Sequence, residues 1–351
     1  MSLISTKELQ WSFLIGRIFN RQQWKMCLSF KDHRISFSGI STCHIWCFFI
    51  MLNVSFLSCI EVFDPITLEE NQQYVVEGFI EAGDGSAPTF VLLTRSIPFL
   101  SEIDRTTLDQ LFIRNAEVEV FDGNKEVRLT EICLLDIPEP LREEALRLLN
   151  IKPGGDAPNI CIYVDIFDEL VRREGGSYQL NITVNNRKIQ AFTTIPRFVP
   201  LESFRWTDPP GEPNDTLARL LVTVEDPSGE SNFYRYKTSA NGSPLIPPFF
   251  SVTDDVFFDG QRFEFPLQKA EARGGDFSND SFGLFTRGDS VVIKWMTLDR
   301  EHFDFWNTRD FSANSGGPFA SYTRISSNVE GALGIWGGYA VGFYHLEVPE
   351  E

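Results

Sequence analysis

From Tyr74 onward, apolar and polar residues alternate in short runs broken by turn formers. Residues 74–80, 89–95, 116–121 and 126–129, the last running on toward Cys133, read as strands, because a period of two sends successive side chains to opposite faces of a sheet. The same pattern recurs at 160–167, 177–184 and 188–194, and again at 217–225, 232–238, 263–266 and 290–298. Asp122-Gly123-Asn124-Lys125 and Asn185-Asn186 are hairpin turns between such runs. One segment departs from period two. Leu141, Ala145, Leu148 and Leu149 share one helical face, opposite Arg142, Glu143, Glu144 and Arg147, with Pro138 and Pro140 before them and Pro153-Gly154 after. The pattern therefore predicts an all-β protein with one short helical excursion.

Residues 195–200 (Ile-Pro-Arg-Phe-Val-Pro) interrupt the strand series, and the loops beyond them are longer and richer in Pro and Asp. This predicts two β-sandwich-like domains at 73–197 and 198–351, the first Ig-like or transthyretin-like, since short strands at regular spacing are the mark of such sandwiches. Upstream the rules change. Residues 45–59 form an apolar run of roughly a dozen residues, shorter than the about 20 a spanning helix needs. Lys31, His33 and Arg34 precede it and Ser58 stands directly before Cys59, the order of an export leader. Phe56-Leu57-Ser58-Cys59 is similar to the lipobox of bacterial lipoproteins, with Phe56 and Leu57 where an aliphatic and a small residue are usual. Residues 1–58 are thus expected to be a signal peptide with an upstream extension, a start at Met26 leaving a leader of ordinary length. Cys59 would be the lipidated first mature residue, and 59–72 an acidic tether.

Charge narrows the partners. The chain has 31 Lys and Arg against 49 Asp and Glu, a formal −18. The six basic and two acidic residues before Cys59 leave 25 against 47 beyond it, a net −22. Such a surface repels polyanions, so no nucleic acid partner is expected. Beyond Cys59 the cysteines are Cys133 and Cys161, both in strand-like text. In an oxidising compartment they form either a disulfide or two separate buried thiols. Zinc is not expected, because His302 and His345 stand at no ligand spacing from them.

The remaining chemistry is sparse. Gly331, Gly334, Gly337 and Gly338 lie among apolar residues, which permits backbone to approach backbone or a ligand closely. Closure of a β core is the favoured reading, since neither a dinucleotide nor a P-loop spacing is present. Asp254, Asp255 and Asp259, and separately Asp276, Asn279 and Asp280, are weak oxygen-ligand candidates without EF-hand spacing. Otherwise they are solvated turns, and neither metal nor cofactor is expected. Glu301-His302-Phe303-Asp304-Phe305-Trp306 is either a packed element end or an exposed aromatic patch for carbohydrate or protein. No nucleophile elbow or His-Glu-x-x-His motif occurs, so an enzyme is not indicated.

Several phrases in one order carry a resemblance. They are Tyr74-Val75-Val76-Glu77-Gly78, Leu93-Thr94-Arg95-Ser96, Ala116-Glu117-Val118-Glu119-Val120, Thr194-Ile195-Pro196, Asn232-Phe233-Tyr234-Arg235, Phe257-Phe258-Asp259-Gly260, and the stretch from Asn328 to Tyr339. Over 59–351 the chain resembles the domain of unknown function 4249 family of exported bacterial lipoproteins. Members of that family tend to be encoded near TonB-dependent outer-membrane receptors. The resemblance therefore implies an outer-membrane, lipid-anchored protein, periplasmic or surface-exposed, acting as a binding or accessory module for such a receptor. It implies no activity and no catalytic residue. An envelope enzyme or carbohydrate-binding protein is the competing class, and would show a concave pocket with converging polar groups.

Overall fold

The computed structural model describes residues 72–97, 104–139, 142, 159–211, 215–275, 278–315 and 323–350. The leader, Cys59, the tether up to Asn71, Asp276 and, Arg142 apart, the helix expected over 141–149 lie outside these residues. The elements run β1 (Tyr74–Ala82), β2 (Phe90–Arg95), α1 (Arg105–Leu111), β3 (Glu117–Phe121), β4 (Glu126–Arg128), β5 (Thr130–Cys133), β6 (Cys161–Val164), β7 (Ser177–Val184) and β8 (Arg187–Thr194). They continue with β9 (Leu201–Thr207), β10 (Leu217–Glu225), β11 (Phe233–Ala240), β12 (Val252–Asp254), β13 (Arg262–Leu267), β14 (Phe285–Thr286), β15 (Ser290–Leu298), α2 (Arg300–Asn314), β16 (Val329–Glu330) and β17 (Leu333–Glu347).

Local chemistry accounts for the hairpins. Asn185 and Asn186 both take positive φ, 47° and 61°, which closes β7 onto β8 in the mirror-image turn whose twist suits paired strands. At the β3–β4 turn, Asp122 Oδ1 accepts the backbone N–H groups of Asn124 and Lys125, each at 2.9 Å. Along β8 every second residue is buried, as the alternation requires.

The strands form an eight-stranded sheet (β12-β11-β15-β17-β1-β2-β6-β5), a five-stranded sheet (β16-β8-β7-β3-β4), and a smaller sheet in which β10 pairs with β13, β14 and β9. The architecture is all-β and sandwich-like. One face of the large sheet covers two cores. Val76, Ile80, Val91 and Trp336 pack against Val120, Leu180, Ile182 and Ile189 of the five-stranded sheet. Further along, Tyr234, Ile293 and Trp295 pack against Leu220, Val222 and Val224 of the smaller one.

The boundary expected at 197/198 marks the passage from one core to the other: Ile195 belongs to the first, Val199 and Leu201 to the second, and Phe198 touches both. It does not separate two sheets. The β17 strand pairs in parallel with β1, from Val75↔Leu333 to Ala82↔Ala340, and antiparallel with β15, from Ser290↔Glu347 to Leu298↔Tyr339. The first sandwich thus takes β16 and β17 from the end of the chain, and residues 70–351 form one compact unit. Periodicity identifies strands but not their partners, and a parallel pairing carries no turn signal between its members.

Candidate functional site

The other face of the large sheet is unusual for a sandwich because it carries charge into a buried layer. Strand alternation places Phe79 and Glu81 of β1, Tyr339, Val341 and Phe343 of β17, Lys294, Met296 and Leu298 of β15, and Phe233, Arg235 and Lys237 of β11 on this side. Helix α2 crosses it, burying His302, Phe303, Trp306 and Asp310, one stripe at helical spacing. Asp299 caps the helix, accepting the His302 N–H at 2.8 Å, and its other oxygen accepts from Thr193 Oγ1 and, at 3.1 Å, from Thr194 N–H. The helix is therefore tied to β8.

Each charge finds a specific neighbour except one. Lys294 Nζ donates to Glu81 Oε2 at 2.6 Å, while Glu81 Oε1 accepts from the Ala87 N–H. The Arg235 guanidinium lies 3.6 Å over the Trp306 ring and donates from Nε to Ser251 Oγ at 3.1 Å. Ser251 in turn donates to Asp310. The His302 ring stacks on Phe79 and brings Nδ1 to 3.4 Å from the Gly338 carbonyl. A carbonyl only accepts, so Nδ1 is the protonated nitrogen of a neutral imidazole. Burial, then the nearby Arg235 charge, pushes His302 down to about 3. His302 Nε2 and Trp306 Nε1 are buried without a hydrogen-bond partner among the described residues. Burial also lifts Tyr339 well above its ordinary value, Glu81 adding to the effect. Lys237 is the exception, half-buried and without a hydrogen-bond or ion-pair partner among the described residues; burial and the charges of Arg235 and Lys294 push it down to about 7.

A second feature lies beyond the sheet edge at β12. The turn 255–260 is pinned by Phe258, which is buried and stacks on Tyr234 and Phe263 with centroids 6.2 and 5.0 Å away. Val256 and Phe257, immediately before it, are 71% and 90% exposed. Asp255 and Asp259 of this turn meet Asp226, with one carboxylate oxygen from each lying within 4.8 Å of the others. Asp226 also accepts from Tyr234 and from the Gly260 N–H, and burial raises its pKa, with Asp255 and Asp259 adding repulsion. Asp226, Ser228 and Gly260 border an open recess of about 480 Å³ whose other walls include Arg197, Glu202 and Glu225. The sequence pointed to Asp254, Asp255 and Asp259; the structure keeps the last two and supplies Asp226 from another strand end. Asp254 instead ends β12 opposite Phe233. Only oxygen donors converge here, the set a hard cation would take, with three carboxylates where calcium uses six to eight oxygens.

The other sequence candidates fall into structural places. A Cβ on Gly334 would stand 1.8 Å from the Val76 carbonyl oxygen, one on Gly338 2.6 Å from that of Thr194, and one on Gly337 2.7 Å from the His302 ring. On Gly331 it would stand 2.8 Å from the Lys188 carbonyl oxygen. The four glycines let β17 and its approach lie against protein backbone and α2. Cys133 and Cys161 face each other across β5 and β6 and are joined by a disulfide, with Cα atoms 3.9 Å apart, inside the usual lower limit of about 4.4 Å. The exposed aromatic patch considered for 301–306 is overturned, since His302, Phe303 and Trp306 face inward. Helix α2 escaped the period reading because two of its four buried positions, His302 and Asp310, are polar.

Among the described residues no helix is long and apolar enough to cross a membrane. A family model described as domain of unknown function (DUF4249) matches residues 60–344. No curated protein and no solved structure matches the chain.

Proposed function

The chain belongs to the DUF4249 family, and from that premise we propose that it is a lipoprotein of the cell envelope, anchored through Cys59, that serves as a binding or accessory module beside a TonB-dependent outer-membrane receptor. The observation that carries the binding role is the Val256-Phe257 pair, held outward by the buried Phe258 at the edge of the large sheet. Phe250, at the other end of edge strand β12, is 67% exposed as well. Apolar groups rigidly presented in this way have no role in the fold and are the usual anchors of protein contacts. The acidic surface keeps the protein off anionic headgroups and leaves these side chains as the adhesive part.

The test is co-purification of the tagged full-length protein from its native envelope, followed by identification of the bound β-barrel receptor. Val256→Ser with Phe257→Ser is expected to reduce receptor recovery at least tenfold while leaving the thermal unfolding temperature unchanged. Undiminished recovery with the double variant would end the surface assignment. Anchoring is read separately: Cys59→Ala is expected to move the protein from the membrane to the soluble fraction, and a wild-type N-terminus found upstream of Cys59 by mass spectrometry would overturn it.

A further inference from the structure

The outer face of the five-stranded sheet, turned away from the first core, carries two large rings in one row. Ile189 and Ala191 of β8 and Val118 and Val120 of β3 point into that core, so period two sends Phe192 and Phe121 to the other side. There they are 63% and 38% exposed. Gln179 of β7 lies between them, opposite Phe192 on one flank and Phe121 on the other. The backbones that carry the rings are therefore two strand spacings apart, about 9–10 Å. The ground between and beside the rings is amide rather than aliphatic. Gln179 and Gln190 both donate to Asn181 Oδ1, at 2.9 and 3.0 Å, and Asn181 Nδ2 donates to Glu126 Oε1 at 3.3 Å. This ladder holds the amides in place, while the Oε1 atoms of Gln179 and Gln190 keep no partner among the described residues and remain acceptors on a face open to water.

A protein partner is poorly served by this row, because interfaces are apolar and depleted of charge at their centre, and here the centre is Gln179 with Glu119 and Glu126 close by. Rings that can cover the C–H faces of sugars, with fixed amides between them for hydroxyl groups, suit a polyhydroxyl ligand instead. We propose that this face binds a neutral, extended β-1,4-linked glycan laid across the strands, with alternate sugars stacked on Phe192 and Phe121 and the intervening sugar hydrogen-bonded to Gln179. In such a chain alternate pyranose rings turn the same face to one side, and two sugar units span nearly the two strand spacings that separate the rings. An open sheet face admits the side of a long chain, where a concave pocket would take a chain end. Glu119 and Glu126 beside the rings, on a chain with more acidic than basic residues, repel an anionic glycan. This inference is independent of the receptor-binding role.

The experiment titrates the purified protein with three neutral β-1,4-linked probes, cellohexaose, xylohexaose and mannohexaose, and with the polyanion polygalacturonate, in a calorimeter and by NMR. Saturable binding of at least one neutral hexaose is expected, and none of polygalacturonate. Phe192→Ala and Phe121→Ala should each weaken binding about tenfold, with the thermal unfolding temperature unchanged, and Phe192→Trp should retain it. In the wild type the ring resonances of Phe192 and Phe121 should shift during the titration, a reading that does not depend on any variant folding. Absence of saturable binding by all three hexaoses, binding with both ring resonances unmoved, or equal binding of polygalacturonate overturns the proposal. So does a wild-type dimer in sedimentation velocity that dissociates in Phe192→Ala, because the rings would then serve a second copy of the chain.

Discussion

Lys294 Nζ lies 2.6 Å from Glu81 Oε2 across 213 residues of sequence, joining the β15 and β1 strands beneath the same sheet face. Both side chains are nearly excluded from water, so removing one partner strands the other. Lys294→Met is expected to cost about 3–5 kcal/mol of unfolding free energy in a denaturant titration. Combining it with Glu81→Gln should recover part of that loss, because no unpaired charge then remains. Purely additive costs would show that the two groups do not act as a pair.

The disulfide closes a segment whose ends are 28 residues apart. Loop-closure entropy of that size corresponds to about 3–4 kcal/mol. Cys133→Ser with Cys161→Ser is expected to lower stability by that amount, and reductant should do the same to the wild type and nothing to the variant. A variant as stable as the wild type would show that the bond constrains little.

Acid behaviour should hinge on α2. Burial raises Asp299 from 3.8 to about 6 and lowers His302 from 6.5 to about 3. Between about pH 3.8 and 6 the folded protein keeps an Asp299 proton that the unfolded chain has lost, so this group makes stability fall as pH rises. Over about pH 3 to 6.5 the unfolded chain binds a proton that folded His302 refuses, so this group makes stability fall as pH drops. The slopes oppose each other where they overlap. Asp299→Asn keeps a capping side chain but removes one of them. Its stability should decline more steeply than the wild type on acidification from about pH 6 to 4, by at most about 1.4 kcal/mol per pH unit. Parallel curves for the two proteins would contradict this.

Gly334 has φ 113° and no room for a Cβ beside Val76, whereas Gly123 has φ 93° and open space around it. Both alanine substitutions incur backbone strain of about 1–3 kcal/mol. Gly334→Ala should cost clearly more than Gly123→Ala, because the β1–β17 ladder must also part. Equal thermal shifts for the two variants would remove the close approach as the reason for glycine.

Much of the site was hidden from sequence reasoning for an identifiable cause. Arg235, Lys237 and Lys294 look like the polar positions of half-exposed strands, and an alternating pattern assigns them to water. Arg235 is covered because α2 lays Trp306 against it, Lys294 is buried against Glu81, and α2 was itself obscured by its buried His302 and Asp310. Asp226 was missed because its partners Asp255 and Asp259 come from a different loop, and spacing along the chain cannot report a cluster assembled by two strand ends.

The sequence by itself determined what depends on near neighbours: the strands read between Tyr74 and Thr194 and at 217–225, 232–238, 263–266 and 290–298, the Asn185-Asn186 and Asp122-Gly123 turns, the cysteines placed in strand text, and the change of core at residues 195–200, but not the strand Leu333–Glu347. Tertiary structure alone decided that β17 enters between β1 and β15 and makes one sheet serve both cores. Period two fixes which way a side chain points but is blind to which strand lies beside it, and that choice is settled by core packing and by glycines that admit a backbone 258 positions away, as with Val76 and Gly334.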